Sequence, residues 1–286
     1  ELYRILPISQ RRRQEFLEAA RATAALAHPN IAALYEIGED QGRLFLVSEF
    51  VPGDTLRTLI AGRPLNPRHA LDHGIQLADA LADAHADGIR HRDIRPGNII
   101  ITPKGIAKFV DMGLGAWTAG GAERERAAGA LTGGVGATIE AVAYMSPEQL
   151  LGQATDERTD IFSLGAVLFE MLTGKPPFGA ATASALVDQV LQAQPRPPSA
   201  IARSLPPELD TIVLKMLAKS LDHRYEAMAT AAAELRSVGA ILDVREGASE
   251  PMPVAVTSPR RSRTGLWLTA ALVALGLIAG FLLFPW

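Results

Sequence analysis

At 286 residues the chain is long enough for one large domain or two ordinary ones, with a sizeable core and an enclosed site. Lys+Arg 28 against Asp+Glu 31 gives a formal net charge of -3, so no global excess of positive charge points to nucleic acid. With no cysteine, a disulfide framework, a thiolate metal site and a cysteine nucleophile are excluded, and the confinement of every charged side chain to residues 1–264 argues against a purely soluble chain.

A helical pattern over residues 11–27 leads into two β-like runs, 31–37 and 43–50, rich in Leu, Val, Ile and aromatics. The character changes near residue 52. Beyond it Leu71, Ile75, Ala78, Leu81, Ala82 and His85 recur at helical spacing and mark one apolar face. Residues 160–173 are apolar nearly all round, through Ile161, Phe162, Leu164, Val167, Leu168, Met171 and Leu172, which predicts a helix buried at the centre of a helical lobe. Gly174 and the Pro176-Pro177 pair stop it. Residues 244–264 carry Pro251, Pro253 and Pro259 among Ser, Thr and Arg and read as a disordered linker, with a basic end suited to anionic lipid. Residues 265–286 would reach about 33 Å as a helix, against roughly 30 Å of bilayer hydrocarbon. Trp267 and Trp286 near its ends and Arg260, Arg261 and Arg263 before it predict a single membrane span with everything upstream in the cytoplasm.

Chemistry concentrates between the two regions that meet near residue 52. His91-Arg92-Asp93-Ile94-Arg95-Pro96-Gly97-Asn98 precedes the apolar Ile99-Ile100-Ile101, a Pro103-Lys104-Gly105 turn, and Phe109-Val110-Asp111-Met112-Gly113. Two carboxylates and an amide flanking short strands offer an oxygen base and two oxygen ligands, which suits a hard cation and an acceptor hydroxyl. Singly, each residue reads as a turn former. The six histidines lack metal-ligand spacing, and His91 reads as a packed residue.

As an ordered set these motifs resemble the eukaryotic-like serine/threonine protein kinases of bacteria over nearly all of residues 1–243. The H-R-D-x-K-x-x-N pattern is met by His91 to Asn98, D-F-G by Asp111-Met112-Gly113, and A-P-E by Ser146-Pro147-Glu148. Asp93 to Asn98 and Asn98 to Asp111 are steps of 5 and 13 residues. Asp160, opening Asp160-Ile-Phe-Ser-Leu-Gly165, resembles the aspartate that holds the catalytic-loop backbone. Arg224 resembles the arginine paired with Glu148, and His28-Pro29-Asn30-Ile31 resembles the sequence after the small-lobe helix.

The resemblance implies an α+β, two-lobed protein-kinase-like fold plus one transmembrane helix. Residues 1–51 would form a partial small lobe, 52–243 the large helical lobe, 244–264 the juxtamembrane linker and 265–286 the span. The implied activity is transfer of the γ-phosphoryl group of Mg-ATP to protein Ser/Thr hydroxyls in bacterial signalling. Asp93 and Arg95 would be catalytic, Asn98 and Asp111 would hold Mg2+ and the phosphates, and Arg4 with the Glu49-Phe50-Val51 hinge would meet the nucleotide, with Ser48 as gatekeeper. Implied partners are protein substrates, ATP and the lipid bilayer through 265–286, with no nucleic acid. A homodimer is a further partner state consistent with the resemblance, and the expected location is the cell membrane with the kinase domain cytoplasmic. Arg92 would receive a phosphate on Thr118, Thr132 or Thr138.

The match departs from the family on the nucleotide side. Arg4 stands at the phosphate-gripping lysine, Ala19 at its partner glutamate with Glu18 alongside, Arg95 at the catalytic-loop lysine, and Glu140-Ala141 at the Gly-Thr of G-T-x-x-Y. The glycine-rich phosphate loop is not in the sequence, and an N-terminally truncated chain is the expectation. The alternative reading is a pseudokinase serving as a scaffold or allosteric binding module.

Overall fold

The computed structural model of the chain describes residues 2–4, 10–40, 43–114 and 139–249. They begin with β1 (Leu2–Arg4), α1 (Gln10–Ala25), β2 (Leu34–Asp40) and β3 (Arg43–Ser48). The three strands form an antiparallel sheet in the order β1-β3-β2, with Arg4 opposite Phe45 and Ile37 opposite Leu46. On α1, Phe16, Ala20 and Thr23 fall on one face by their i, i+4, i+7 spacing, and all three are buried. Phe16 and Ala20 meet Leu34, Leu44, Leu46 and Leu114 in a small core of their own. The ring of Phe45 lies across the sheet over Gly38, where an added Cβ would come 2.1 Å from its tip and force the ring to turn away.

The β-like run read over residues 31–37 starts later as a strand. Its first residues serve the other lobe: Ile31 bridges to Phe109, the Ala32 N–H donates to the Phe109 carbonyl at 2.8 Å, and the Phe109 N–H donates to the Asn30 carbonyl at 2.9 Å. A residue engaged there cannot also join the small-lobe ladder.

After the hinge come β4 (Asp54–Thr55), α2 (Leu56–Ile60), α3 (Pro67–Ala86), a 3₁₀ turn at Pro96–Asn98, β5 (Ile99–Ile101) and β6 (Ala107–Phe109). The strands β4-β5-β6 make a second antiparallel sheet. Asn66 caps α3, its Oδ1 accepting from the N–H groups of Arg68 and His69, and Pro67 supplies a first residue that needs no donor partner.

The remaining helices are α4 (Ile139–Val142), α5 (Pro147–Leu150), α6 (Arg158–Thr173), α7 (Ala183–Gln192), α8 (Pro198–Ile201), α9 (Pro207–Met216) and α10 (Met228–Ser249). Helix α6 is the buried axis of this lobe: every residue from Thr159 to Phe169 and from Met171 to Thr173 is buried. It ends at Gly174 in the left-handed region (φ 77), whose N–H donates to the Glu170 carbonyl at 2.7 Å. A Cβ at Gly174 would stand 2.8 Å from the Arg63 backbone, so the stop read from sequence is also a tight helix-to-loop contact.

The chain divides into two units, Glu1–Asp243 and Val244–Trp286. Helix α10 runs on through Ser249, six residues into the stretch read as a disordered linker, because no proline or glycine pair interrupts it before Pro251. No helix among the described residues is long and apolar enough to cross a membrane. The span at 265–286, the rest of the linker and Thr118, Thr132 and Thr138 lie outside the described residues.

Candidate active site

Two side chains, Asp160 on α6 and His85 on α3, shape the loop that carries His91 to Asn98. The Asp160 carboxylate, at the first turn of α6, accepts from the His91 N–H (2.8 Å), the Arg92 N–H (2.8 Å) and His85 Nε2 (2.9 Å). Burial by itself pushes this carboxyl up. The hydrogen bond and charge of His85, the charge of His91 and the Arg92 N–H outweigh that and hold it below the usual carboxylate range. Ionised, it pins a backbone that includes Arg92 at φ 62, a left-handed conformation that costs a non-glycine residue about 1–3 kcal/mol. The His91 ring is fully buried, edge-on to Phe109 at 4.9 Å, and its Nδ1 accepts from the Asp93 N–H at 3.3 Å, in keeping with a packed histidine.

Asp93 is 1% exposed and sits at the centre of the loop. Arg95 Nε lies 3.3 Å from its Oδ1, and Asn98 Nδ2 donates to its backbone carbonyl at 3.0 Å. The amide of Asn98 thus has its nitrogen engaged inward, which leaves Oδ1 as the acceptor end. The Val110 N–H donates to the Asn98 backbone carbonyl at 3.0 Å, so Asp111, at φ 60, follows directly on a residue bonded to the catalytic loop. Among the described residues no group of three or more His, Cys, Asp or Glu side chains is arranged for a metal. One carboxylate and one amide oxygen suit a hard cation that keeps waters and takes its remaining ligands from phosphate, the habit of Mg²⁺. The Met112 carbonyl accepts from Thr23 Oγ1 at 3.1 Å, and a Cβ on Gly113 (φ 68) would come 2.9 Å from that hydroxyl, so α1 holds the Asp111 loop closely.

A second buried pair ties α5 to the segment before α10. Arg224 is bidentate on Glu148, at 2.8 and 3.2 Å, and also donates to the carbonyls of Arg158 and Ala218. Thr159 Oγ1 donates to Glu148 Oε1 at 2.9 Å. Burial pushes the Glu148 carboxyl up, and the Arg224 hydrogen bond and charge bring it net below its ordinary range. Ser146 and Gln149 form a reciprocal capping box on α5, and Gln149 Nε2 reaches the Arg92 carbonyl at 3.1 Å, joining this segment to the catalytic loop.

At the lobe junction, the Glu49 N–H donates to the Ala33 carbonyl at 2.8 Å. Its carboxylate takes Lys108 Nζ at 2.6 and 2.9 Å and the Ala33 N–H at 3.1 Å. With its side chain and N–H so committed, Glu49 has its backbone carbonyl to offer a planar base. Phe50 is 71% exposed and Val51 is buried. Arg4 is placed on β1 by its pairing with Phe45. Glu18 is exposed and accepts from Gln14 Nε2 at 3.5 Å.

A model described as the protein kinase domain matches residues 6–235. The chain belongs to the protein kinase family. Its curated relatives include the serine/threonine-protein kinase PknB of Mycolicibacterium smegmatis, 37% identical over 252 residues, a match covering 86% of this chain and 38% of that protein. Another is the serine/threonine-protein kinase PrkC of Bacillus subtilis, 36% identical over 229 residues, covering 78% and 33% respectively. This chain therefore spans about a third of the length of these relatives. The kinase domain of PknI from Mycobacterium tuberculosis superposes with a TM-score of 0.62 at 23% identity, covering 82% of this chain and 84% of that one, which shows the shared two-lobed fold.

Within this kinase fold the structure brings Asp93, Arg95 and Asn98 into one loop and sets Asp111 beside it. Glu49 and Val51 lie at the lobe junction. Sequence reasoning missed His85 as a ligand of Asp160, Thr23 as the clamp on the Asp111 loop, and the ion pairs of Glu140. His85 had been read as part of an apolar face, and nothing in its spacing reveals a buried carboxylate 75 positions later. A separate groove of about 740 Å³ lies between α3 and the β5–β6 turn, and none of its lining residues belongs to the catalytic loop.

Proposed function

We propose that the chain is the catalytic part of a membrane-anchored serine/threonine protein kinase that transfers the γ-phosphoryl group of Mg-ATP to protein hydroxyls. The reading rests above all on the loop in which Asp160 fixes the backbone while buried Asp93 stands within 3.3 Å of Arg95. A loop of this kind, held by ionised groups at the cost of a left-handed Arg92, is more than folding alone requires.

Asp93 orients the acceptor hydroxyl and takes up its proton as the oxygen attacks the γ-phosphorus. The bond from that phosphorus to the bridging oxygen breaks and ADP leaves. Arg95 offers guanidinium donors to the transferring phosphoryl oxygens. Asn98 Oδ1 and the Asp111 carboxylate would hold Mg²⁺, which when bound neutralises phosphate charge. Backbone groups of Glu49 and Val51 meet adenine, and Arg4, a residue of β1, is the candidate cation for the phosphates. Residues 265–286 anchor the domain to the cell membrane on its cytoplasmic side.

The test is phosphate incorporation from γ-labelled ATP with Mg²⁺ into the protein and into a generic protein acceptor. Asp93→Asn is expected to lower incorporation by about 10²-fold or more, in the range of a lost general base. Incorporation equal to that of the unsubstituted protein would sink the enzyme reading and favour the pseudokinase.

A further inference from the structure

Glu140 stands on α4 where two arginines from different parts of the large lobe converge. Its Oε1 accepts from Arg95 Nη1 at 2.9 Å and from Arg57 of α2. Arg95 Nε lies 3.3 Å from Asp93 Oδ1, an ion pair without a hydrogen bond between these two atoms, so an alternating chain of charges Arg57, Glu140, Arg95, Asp93 runs inward from the surface. Side-chain exposure falls along it from 45% and 43% to 23% and 1%. Arg57 is itself placed over the catalytic loop, since a Cβ on Gly97 would lie 3.4 Å from its Nη2. The hydrogen bond and charge of Arg57 first, and then the charge and hydrogen bond of Arg95, keep the Glu140 carboxyl below its ordinary range despite partial burial.

A guanidinium presents five donors in one plane, and its direction is set by which carboxylates share it. With Asp93 alone as partner, Arg95 is free to turn both arms of its fork onto that carboxylate and cover the oxygen that must receive a proton. Glu140 takes one arm away. We propose that Glu140 is a positioning residue for the catalytic loop. Anchored by Arg57, it holds Arg95 so that one edge faces Asp93 and the other donors stay directed at the transferring phosphoryl group. The arrangement also accounts for Ala141, which has no hydroxyl to offer the loop: the adjoining carboxylate and a longer cation carry the tie instead.

The inference rests on the kinase reading above, so its test carries a readout that does not need turnover. In the full chain, Glu140→Gln should lower kcat by about 10–100-fold, the scale of a small misplacement of reacting groups, with KM for ATP and acceptor changed less than about twofold. Hydrogen exchange at residues 93–98 should become faster. Arg57→Ala, at the exposed end of the chain of charges, should shift both readouts in the same direction and by less. Arg95→Lys with Glu140→Gly and Ala141→Thr, which restores the shorter cation and a hydroxyl, should recover at least about tenfold of the lost kcat, a rescue that a general loss of stability would not allow. A kcat within twofold of the unsubstituted protein, or a loss that the triple variant does not relieve, overturns the proposal. If the unsubstituted protein itself shows no turnover, the kinase reading fails, and exchange at 93–98 decides this one: faster in Glu140→Gln supports it, unchanged overturns it.

Discussion

Asp160 and Glu148 are carboxylates buried to 0% and 3% exposure, and both remain ionised because their partners outweigh the cost of leaving water. Their folded pKa values lie below those of the unfolded chain, about 4 for an ordinary carboxyl. The unfolded state therefore binds protons first as pH falls, and the stability these groups contribute is fully present above about pH 4 and is lost as pH drops through the folded values. Urea denaturation should show a midpoint nearly constant from pH 7 to about pH 5 and falling steeply below about pH 4. Glu148→Gln leaves Arg224 buried without its ionised partner and should cost about 3–5 kcal/mol at pH 7, with a shallower decline in acid. An acid limb equally steep in the variant would mean that other groups set it. The participants were legible in the sequence as isolated motif residues. What holds them was not: Thr159, His85 and Gln149 acquire their roles from neighbours 11, 75 and 57 positions away.

At the scale of elements, α6 decides how the large lobe is assembled. Its apolar circumference predicted a central helix, and it is buried nearly throughout. Gly165 packs tightly against the end of α9, where an added Cβ would meet Met216 Cβ at 2.7 Å and Leu217 at 3.5 Å. Both sides of that contact are rigid near the backbone, so one methyl group forces the helices apart. Gly165→Ala should destabilise the protein by about 1–3 kcal/mol in urea denaturation, although alanine is the better helix former by roughly 1 kcal/mol. A more stable variant would show that the contact can relax. The run over 31–37 teaches the complementary lesson. Its residues are strand-like throughout, yet Ile31 bridges to Phe109 and the small-lobe strand begins at Leu34. Periodicity reports which residues favour extended backbone and is blind to which neighbour supplies the hydrogen bonds.

For the whole molecule, the proposed anchor makes a direct prediction. The protein expressed in bacterial cells should sediment with membranes and resist extraction by high salt or alkaline carbonate, while removal of residues 265–286 should release it to the soluble fraction. Release of the intact protein by salt alone would replace the span by an electrostatic attachment through Arg260, Arg261 and Arg263. The sequence by itself determined the family-like order of Asp93, Asn98, Asp111, Glu148 and Asp160 and the central helix, because spacing along one chain and burial of a continuous apolar surface are local properties. It also isolated the uncharged tail. Only the tertiary structure decided that α1 grips the Asp111 loop through Thr23, and that Asp160 is shared by His85 and two backbone N–H groups. The same holds for Glu140, which looked like a departure from pattern at one position and proves to be the partner of Arg95 and Arg57. Hydrogen bonds and ion pairs form between groups that folding brings within about 3 Å, and that distance is written in no single stretch of sequence.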